Sequence, residues 1–343
     1  MKRVLRFVLR GLIGVVALVA TLGPLFGYLA YSPASEVPRL SGTLTKGTIA
    51  VGGLKRTYRT YVPRGLAKGA PLVLVMHGSG QSGAQIRIST GYGFERLADE
   101  HGFAVVYPNA YEGYWDVCSI VGAVNANLNI DDMEFLTRMV DKLIAEIGVD
   151  PGRVFATGGS RGGSMAFRLA LEAPSRFRAV AAISANVPTP ENFKCKPAGH
   201  GPSSVMIMNG TKDPLVPFDG GEVNLLGLFY RNGKVLSARQ SGQYFADLNH
   251  ITGTPERNET QVADGVRVEQ VLWRNNSNAE VELVAVHGGG HGIPQPYRRG
   301  PRLLGPSPKE PNGPAVIWAF FERQRPYALF SRRETHDLDK QER

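Results

Sequence analysis

A serine hydroxyl is a weak nucleophile, so a chain that uses one must also supply a base within hydrogen-bond reach and a carboxylate to orient that base. In this 343-residue sequence the place for such a serine is Gly158-Gly159-Ser160-Arg161-Gly162-Gly163. It follows the apolar run Arg153-Val154-Phe155-Ala156-Thr157 and precedes the helical Ser164-Met165-Ala166-Phe167-Arg168-Leu169-Ala170. Strand, glycine turn and helix in that order are the setting in which G-x-S-x-G places a hydroxyl on a strained bend facing a cleft. The partners come later in the chain. Asp213 lies in Asn209-Gly210-Thr211-Lys212-Asp213-Pro214, directly after the apolar run 205–208, and His291 lies in the glycine-rich loop that follows the run 280–286. All three fall at carboxyl ends of strands, where open α/β sheets place their sites. Asp219 and His287 are the runners-up. Three glycines separate His287 from His291 and will not hold a helix, so the pair does not read as a shared metal site.

Attack on an ester carbonyl builds negative charge on oxygen, which calls for preorganised N–H donors. One is the backbone N–H of Arg161 at the head of the helix. The other is expected from Ser79 in the loop His77-Gly78-Ser79-Gly80, which ends the apolar run Pro71-Leu72-Val73-Leu74-Val75-Met76. His77, Tyr114 and Trp115 are candidates for lining a substrate pocket, with core packing as the alternative for the two aromatics. The Arg161 side chain either meets an anionic substrate group or packs against the sheet.

These residues need a scaffold. Segments 46–51 and 55–62 alternate β-branched and polar residues around Gly52-Gly53, the pattern of a β-hairpin at the edge of a sheet. The run 72–76 reads as a central parallel strand covered on both faces. After it come a helix over 94–100, a strand over 103–107, a helix over 132–147, the strand into the elbow, strands over 179–184 and 205–208, a helix over 238–248, strands over 266–273 and 280–286, and a last helix over 314–323. This alternation predicts an α/β fold, a mostly parallel doubly wound sheet with an antiparallel N-terminal hairpin. Asp131 and Asp132 are expected to cap the helix they open. The weakly patterned stretch 220–265 is either a lid or a connection.

The composition, 43% hydrophobic and 20% charged, suits one large domain. Of the formal +9 charge, Lys2, Arg3, Arg6 and Arg10 fall in the first ten residues and more basic residues follow Arg323. No basic stripe interleaved with aromatics is visible, which excludes a nucleic-acid partner. Residues 11–31 carry no charge. As a helix they would reach roughly 31 Å, about the thickness of a bilayer core. With the basic flank first, the positive-inside rule places the rest of the chain outside, periplasmic or extracellular. Residues 1–34 are therefore a signal peptide or a membrane anchor: the length of the apolar run favours the anchor, and Ser32-Pro33-Ala34 offers a cleavage site. The catalytic domain is expected over 43–328, and the charged tail 331–343 reads as disordered. In an exported chain the two cysteines, Cys118 and Cys195, read as a candidate disulfide, with two unlinked buried thiols as the alternative.

Taken together, His77-Gly78-Ser79-Gly80, Tyr107-Pro108-Asn109, Trp115 with Cys118, Val149-Asp150-Pro151-Gly152-Arg153-Val154, the elbow, Gly210-Thr211-Lys212-Asp213-Pro214 and Gly289-Gly290-His291 resemble the polyhydroxybutyrate depolymerase and feruloyl esterase-like family, carbohydrate esterase family 1-like members of the α/β-hydrolase superfamily. The order serine, acid, histidine is also the α/β-hydrolase order. The resemblance covers about 46–294. It implies Ser160 as nucleophile, Asp213 as acid, His291 as base, Ser79 in the oxyanion hole, and an acyl-enzyme mechanism with no metal or organic cofactor. Family members commonly follow the catalytic histidine with a tryptophan-bearing segment, where this chain has Gly292-Ile293-Pro294-Gln295. They often carry cysteine where this chain has Ser79. With no polymer-binding module in evidence, the expected activity is that of an exported serine ester hydrolase on small phenolic, acetyl or short aliphatic esters. The rivals are a polyhydroxybutyrate depolymerase, a serine peptidase on the same fold and a catalytically silent envelope binding protein.

Overall fold

The computed structural model describes residues 2–122, 130–198, 203–224, 231–275 and 279–324; the charged tail expected at 331–343 and the last residues of the expected domain lie outside them. Helix α1 (Lys2–Ala30) comes first and touches the rest near its end, at Tyr28, with Leu12, Val16 and Phe26 among its exposed apolar side chains. The hairpin of β1 (Thr43–Val51) and β2 (Leu54–Val62) turns at Gly52-Gly53, with Val51 opposite Leu54. Then follow β3 (Leu72–Met76), α2 (Gly83–Ser89), α3 (Gly93–His101), β4 (Ala104–Pro108), α4 (Asp132–Ile147), β5 (Val154–Gly159), α5 (Arg161–Glu172), β6 (Ala179–Ile183) and β7 (Ser204–Gly210). A small ribbon of β8 (Gly221–Glu222) and β9 (Lys234–Val235) precedes α6 (Ala238–Leu248). The chain closes with β10 (Glu256–Gln261), β11 (Arg267–Arg274), β12 (Glu280–Val286) and α7 (Gly313–Arg323).

Ten of the described strands form one sheet in the order β1-β2-β4-β3-β5-β6-β7-β12-β11-β10. The six from β4 to β12 run parallel, while β1 and β2 at one edge and β11 and β10 at the other are antiparallel. Alternate residues of the central strands feed two apolar layers. Leu72, Leu74 and Met76 meet α4, α5 and α6, including Phe135, Phe167 and Phe245. Val73 and Val75 face the layer of α2, α3 and α7, including Ile86, Phe94, Ile317 and Phe321. That two-sided cover is why these strands are continuously apolar.

Asp131 caps α4, accepting the Glu134 N–H at 2.7 Å. Asp132, expected to share that task, is instead fully buried. Its Oδ1 takes the Arg56 guanidinium at 2.5 Å and its Oδ2 the Asp116 N–H at 2.7 Å. Burial lifts this carboxyl above the usual range against the pull of Arg56. The pair bolts the N-terminal hairpin to the loop before α4. The stretch 220–265 supplies α6 as a packed layer: Ser241 Oγ accepts the Val187 N–H and Phe245 lies 5.2 Å from Phe167.

Candidate active site

β5 delivers the chain to Ser160 in a conformation that side chains rarely adopt, φ 55° and ψ −120°. Ser160 N–H donates to Ile183 O on β6, and α5 starts at once, so the strain is held by the sheet on one side and the helix on the other. The bend requires backbone to touch backbone. A Cβ at Gly162 would stand 2.3 Å from Met76 O, and one at Gly158 would stand 2.5 Å from the carbonyl of Gly162. Arg161 is the first residue of α5, so no carbonyl within that helix takes its N–H.

The acid and base arrive on two loops that touch. His291 Nδ1 lies 2.8 Å from Asp213 Oδ2, while Asp213 Oδ1 accepts the N–H groups of Leu215 and Val216 at 2.8 and 2.9 Å. The Asp213 carboxylate is 1% exposed, fully engaged and aimed at one histidine. Lys212 N–H donates to Gly289 O, and His291 N–H donates to Leu304 O. The runners-up lie elsewhere: Asp219 is exposed, and His287 turns toward Arg267 and Glu269. The two histidines four positions apart thus face different partners. Ser184, at φ 50° just past β6, was not anticipated; its buried hydroxyl accepts the Gly292 N–H at 2.9 Å and steadies the histidine loop. Its place at the carboxyl end of an apolar strand was the available signal.

Burial corrects the substrate-pocket reading of His77 and selects the packing alternative for Trp115 and for the Arg161 side chain. His77 is fully enclosed, with Nε2 accepting the Ala110 N–H at 3.0 Å and Nδ1 2.8 Å from Gly78 O. Trp115 is equally enclosed; its indole donates to His77 O at 2.9 Å. The Arg161 side chain, 4% exposed, donates through Nε to Trp115 O at 2.6 Å and through Nη1 to Gly122 O at 3.1 Å. It cannot reach a substrate. Tyr114 is half-buried with its hydroxyl against Gly80, and it does not line the cavity described next. Together these groups hold the His77–Gly80 loop from behind.

Ser79, Ser160 and His291 line one cavity of about 590 Å³. Its apolar wall is Ile86, Ile88, Ile183, Leu215, Ile293 and Leu304; polar positions come from Gln85, Ser89, Gln295 and Arg298. No described residue of 220–265 contributes; the walls come from α2 and from 292–307. Cys118 and Cys195 are joined by a disulfide, with Cα atoms 4.9 Å apart.

A serine on a strand-to-helix bend and a histidine–aspartate pair on the same cavity, carried by this sheet, are the architecture of the α/β-hydrolases. The family model described as "Esterase PHB depolymerase" matches residues 56–215. "Probable feruloyl esterase C" of Aspergillus terreus is 30% identical over 57% of this chain and 68% of its own. NocK of Nocardia uniformis subsp. tsuyamanensis, which carries an esterase designation, is 29% identical over 82% of this chain and 83% of its own. Among solved structures, the acetyl xylan esterase from Aspergillus awamori superposes with a TM-score of 0.52 at 19% identity, over 74% of this chain and 95% of that one, which supports the fold. The chain belongs to the polyhydroxybutyrate depolymerase and feruloyl esterase-like family, and it is a carboxylic-ester hydrolase.

Proposed function

We propose that this hydrolase is exported, with its N-terminal helix serving as a signal peptide or a membrane anchor, and acts on small esters through an acyl-enzyme on Ser160. The observation that carries the reading is the 2.8 Å bond from His291 Nδ1 to Asp213 Oδ2, made by a histidine that lines the same cavity as Ser160. Asp213 fixes the tautomer with the proton on Nδ1, which leaves Nε2 free to take the Ser160 proton as Oγ bonds to the ester carbonyl. The backbone N–H groups of Ser79 and Arg161 face the developing oxyanion, with the positive end of α5 behind Arg161. His291 then returns the proton to the departing alcohol, and the same base activates water to release the acid. Feruloyl and acetyl esters head the candidate substrates because the relatives carry those names. The size and apolar wall of the cavity favour a small acyl group over a polymer chain.

The test is to purify the full chain in detergent and assay phenolic, acetylated-sugar and short aliphatic esters beside Ser160→Ala. Hydrolysis should fall at least about 10³-fold in the variant; unchanged turnover would show the nucleophile to be elsewhere. Clearing of polyhydroxybutyrate granules would favour the depolymerase, amide turnover the peptidase, and silence on every substrate an envelope binding protein.

A further inference from the structure

Of the residues lining the catalytic cavity, Arg298 alone carries a permanent charge, and no carboxylate lines the cavity with it. The guanidinium is half-buried. Nε donates to Pro33 O at 3.2 Å and Nη1 to Ser89 Oγ at 3.3 Å, both neutral acceptors. Among the described residues it pairs with no Asp or Glu; burial lowers its pKa, against a smaller opposing effect of Tyr92. Its backbone is fixed as well. Gln295, 3% exposed, accepts the Arg298 N–H at 3.0 Å through Oε1 and donates to Arg298 O at 2.6 Å through Nε2. Arg87, on the α2 turn that also supplies Ser89, is by contrast paired with Glu95. Arg298 is thus a held, partly desolvated cation in an otherwise uncharged cavity, with no acceptor for its Nη2 end among the described residues.

We propose that Arg298 forms a carboxylate-binding subsite, and that the preferred substrates are esters of amphipathic acids or alcohols whose apolar body fills the Ile86, Ile88 and Leu304 wall and whose far end is a carboxylate. Guanidinium and carboxylate match as planar, two-point partners, and in a cavity from which water is partly excluded that match discriminates more strongly than it does in water. The inference rests on the esterase reading above. It moves the anion contact that the sequence suggested for Arg161 to a residue 137 positions later, because Arg161 is spent on Trp115 and Gly122.

The test uses the full chain in detergent and a matched pair of substrates: a nitrophenyl monoester of adipic acid and its near-isosteric ω-carboxamide. The wild type should favour the carboxylate by at least ten-fold in kcat/KM. Arg298→Gln should remove that preference by slowing the carboxylate ester, leaving the carboxamide ester within about two-fold. Arg298→Lys, which keeps charge without the fork, should retain part of it. Free adipate should inhibit the wild type on the carboxamide ester and fail to inhibit Arg298→Gln. Equal kcat/KM for the two esters in the wild type would overturn the inference with no variant needed, as would an equal loss on both in Arg298→Gln. Either result leaves the esterase reading standing. That reading fails separately, and the inference with it, if Ser160→Ala hydrolyses both esters as fast as the wild type.

Discussion

His77 leaves β3 with both ring nitrogens committed: Nε2 accepts from Ala110 N–H, so the proton sits on Nδ1 and points to Gly78 O. A second proton would have to go on Nε2, against a donor, inside a fully enclosed site. Burial accordingly pushes the imidazole down to about 4 from its usual 6.5. The unfolded chain therefore binds, between pH 6.5 and 4, a proton that the folded chain refuses. Stability is full above pH 6.5, declines as pH falls through that window, and has lost on the order of 3 kcal/mol from this group by pH 4. Thermal melts of the wild type and His77→Gln across pH 4 to 7 should show the gap between them narrowing or reversing toward low pH. Parallel curves would contradict the assignment. The role this residue plays is to carry the His77–Gly80 loop, and Trp115 and Arg161 share it; at this scale a residue's chemistry is readable from its type, while the direction it faces is not.

The secondary structure that positions the site was legible where a period or a run marked it. The two-sided burial of β3 and β5 wrote continuous apolar segments, and the 132–147 and 238–248 helices have the ends that periodicity predicted. Two strand-ends gave Asp213 and His291 their places. Elements without such a signal were missed. β10 is Glu256-Arg257-Asn258-Glu259-Thr260-Gln261, exposed along its whole length, and is held by pairing with β11, which a hydrophobic pattern cannot report. α2 is two turns in a glycine- and serine-rich loop, and the cavity wall 292–307 is irregular chain placed by tertiary contacts such as Gly290 N–H to Pro306 O. The elbow makes a sharper test of how backbone contact sets an element. Gly162→Ala would force a methyl group to 2.3 Å from Met76 O, pushing α5 and the Arg161 N–H off β3. It should cost about 1–3 kcal/mol of stability and more than ten-fold in kcat. Gly159→Ala meets nothing nearer than Ile86 Cδ1 at 3.9 Å and should melt within about 0.5 kcal/mol of wild type. Equal effects of the two substitutions would show that the contact at Gly162 relaxes freely.

At the scale of the molecule, the site and the N-terminal helix are joined by more than covalent linkage. α1 is 29 residues long, and its 10–30 stretch is apolar enough to cross a bilayer and unburied by the rest of the chain. Where it ends, Arg302 stacks over the Tyr28 ring at 4.2 Å, Ser32 Oγ donates to Arg299 O, and Pro33 O takes Arg298. With the helix as an uncleaved anchor, the full chain should remain in the membrane pellet after an alkaline carbonate wash. Recovery in the supernatant as a species shortened by about 34 residues would mean that the segment is a signal peptide.

The bond between Cys118 and Cys195 has a topological consequence. It closes a covalent ring, spanning a separation of 77 residues, that contains Ser160 and all of α5 but neither Asp213 nor His291. A protease that cuts the chain once inside 119–194 therefore releases nothing: the molecule keeps its mass until a reductant is added. A cut between 196 and 290 frees the fragment bearing His291 at once. Limited digestion read with and without reductant thus sorts nicks by which side of the ring they fall on, and tells whether a nicked sample still holds nucleophile and base in one covalent piece.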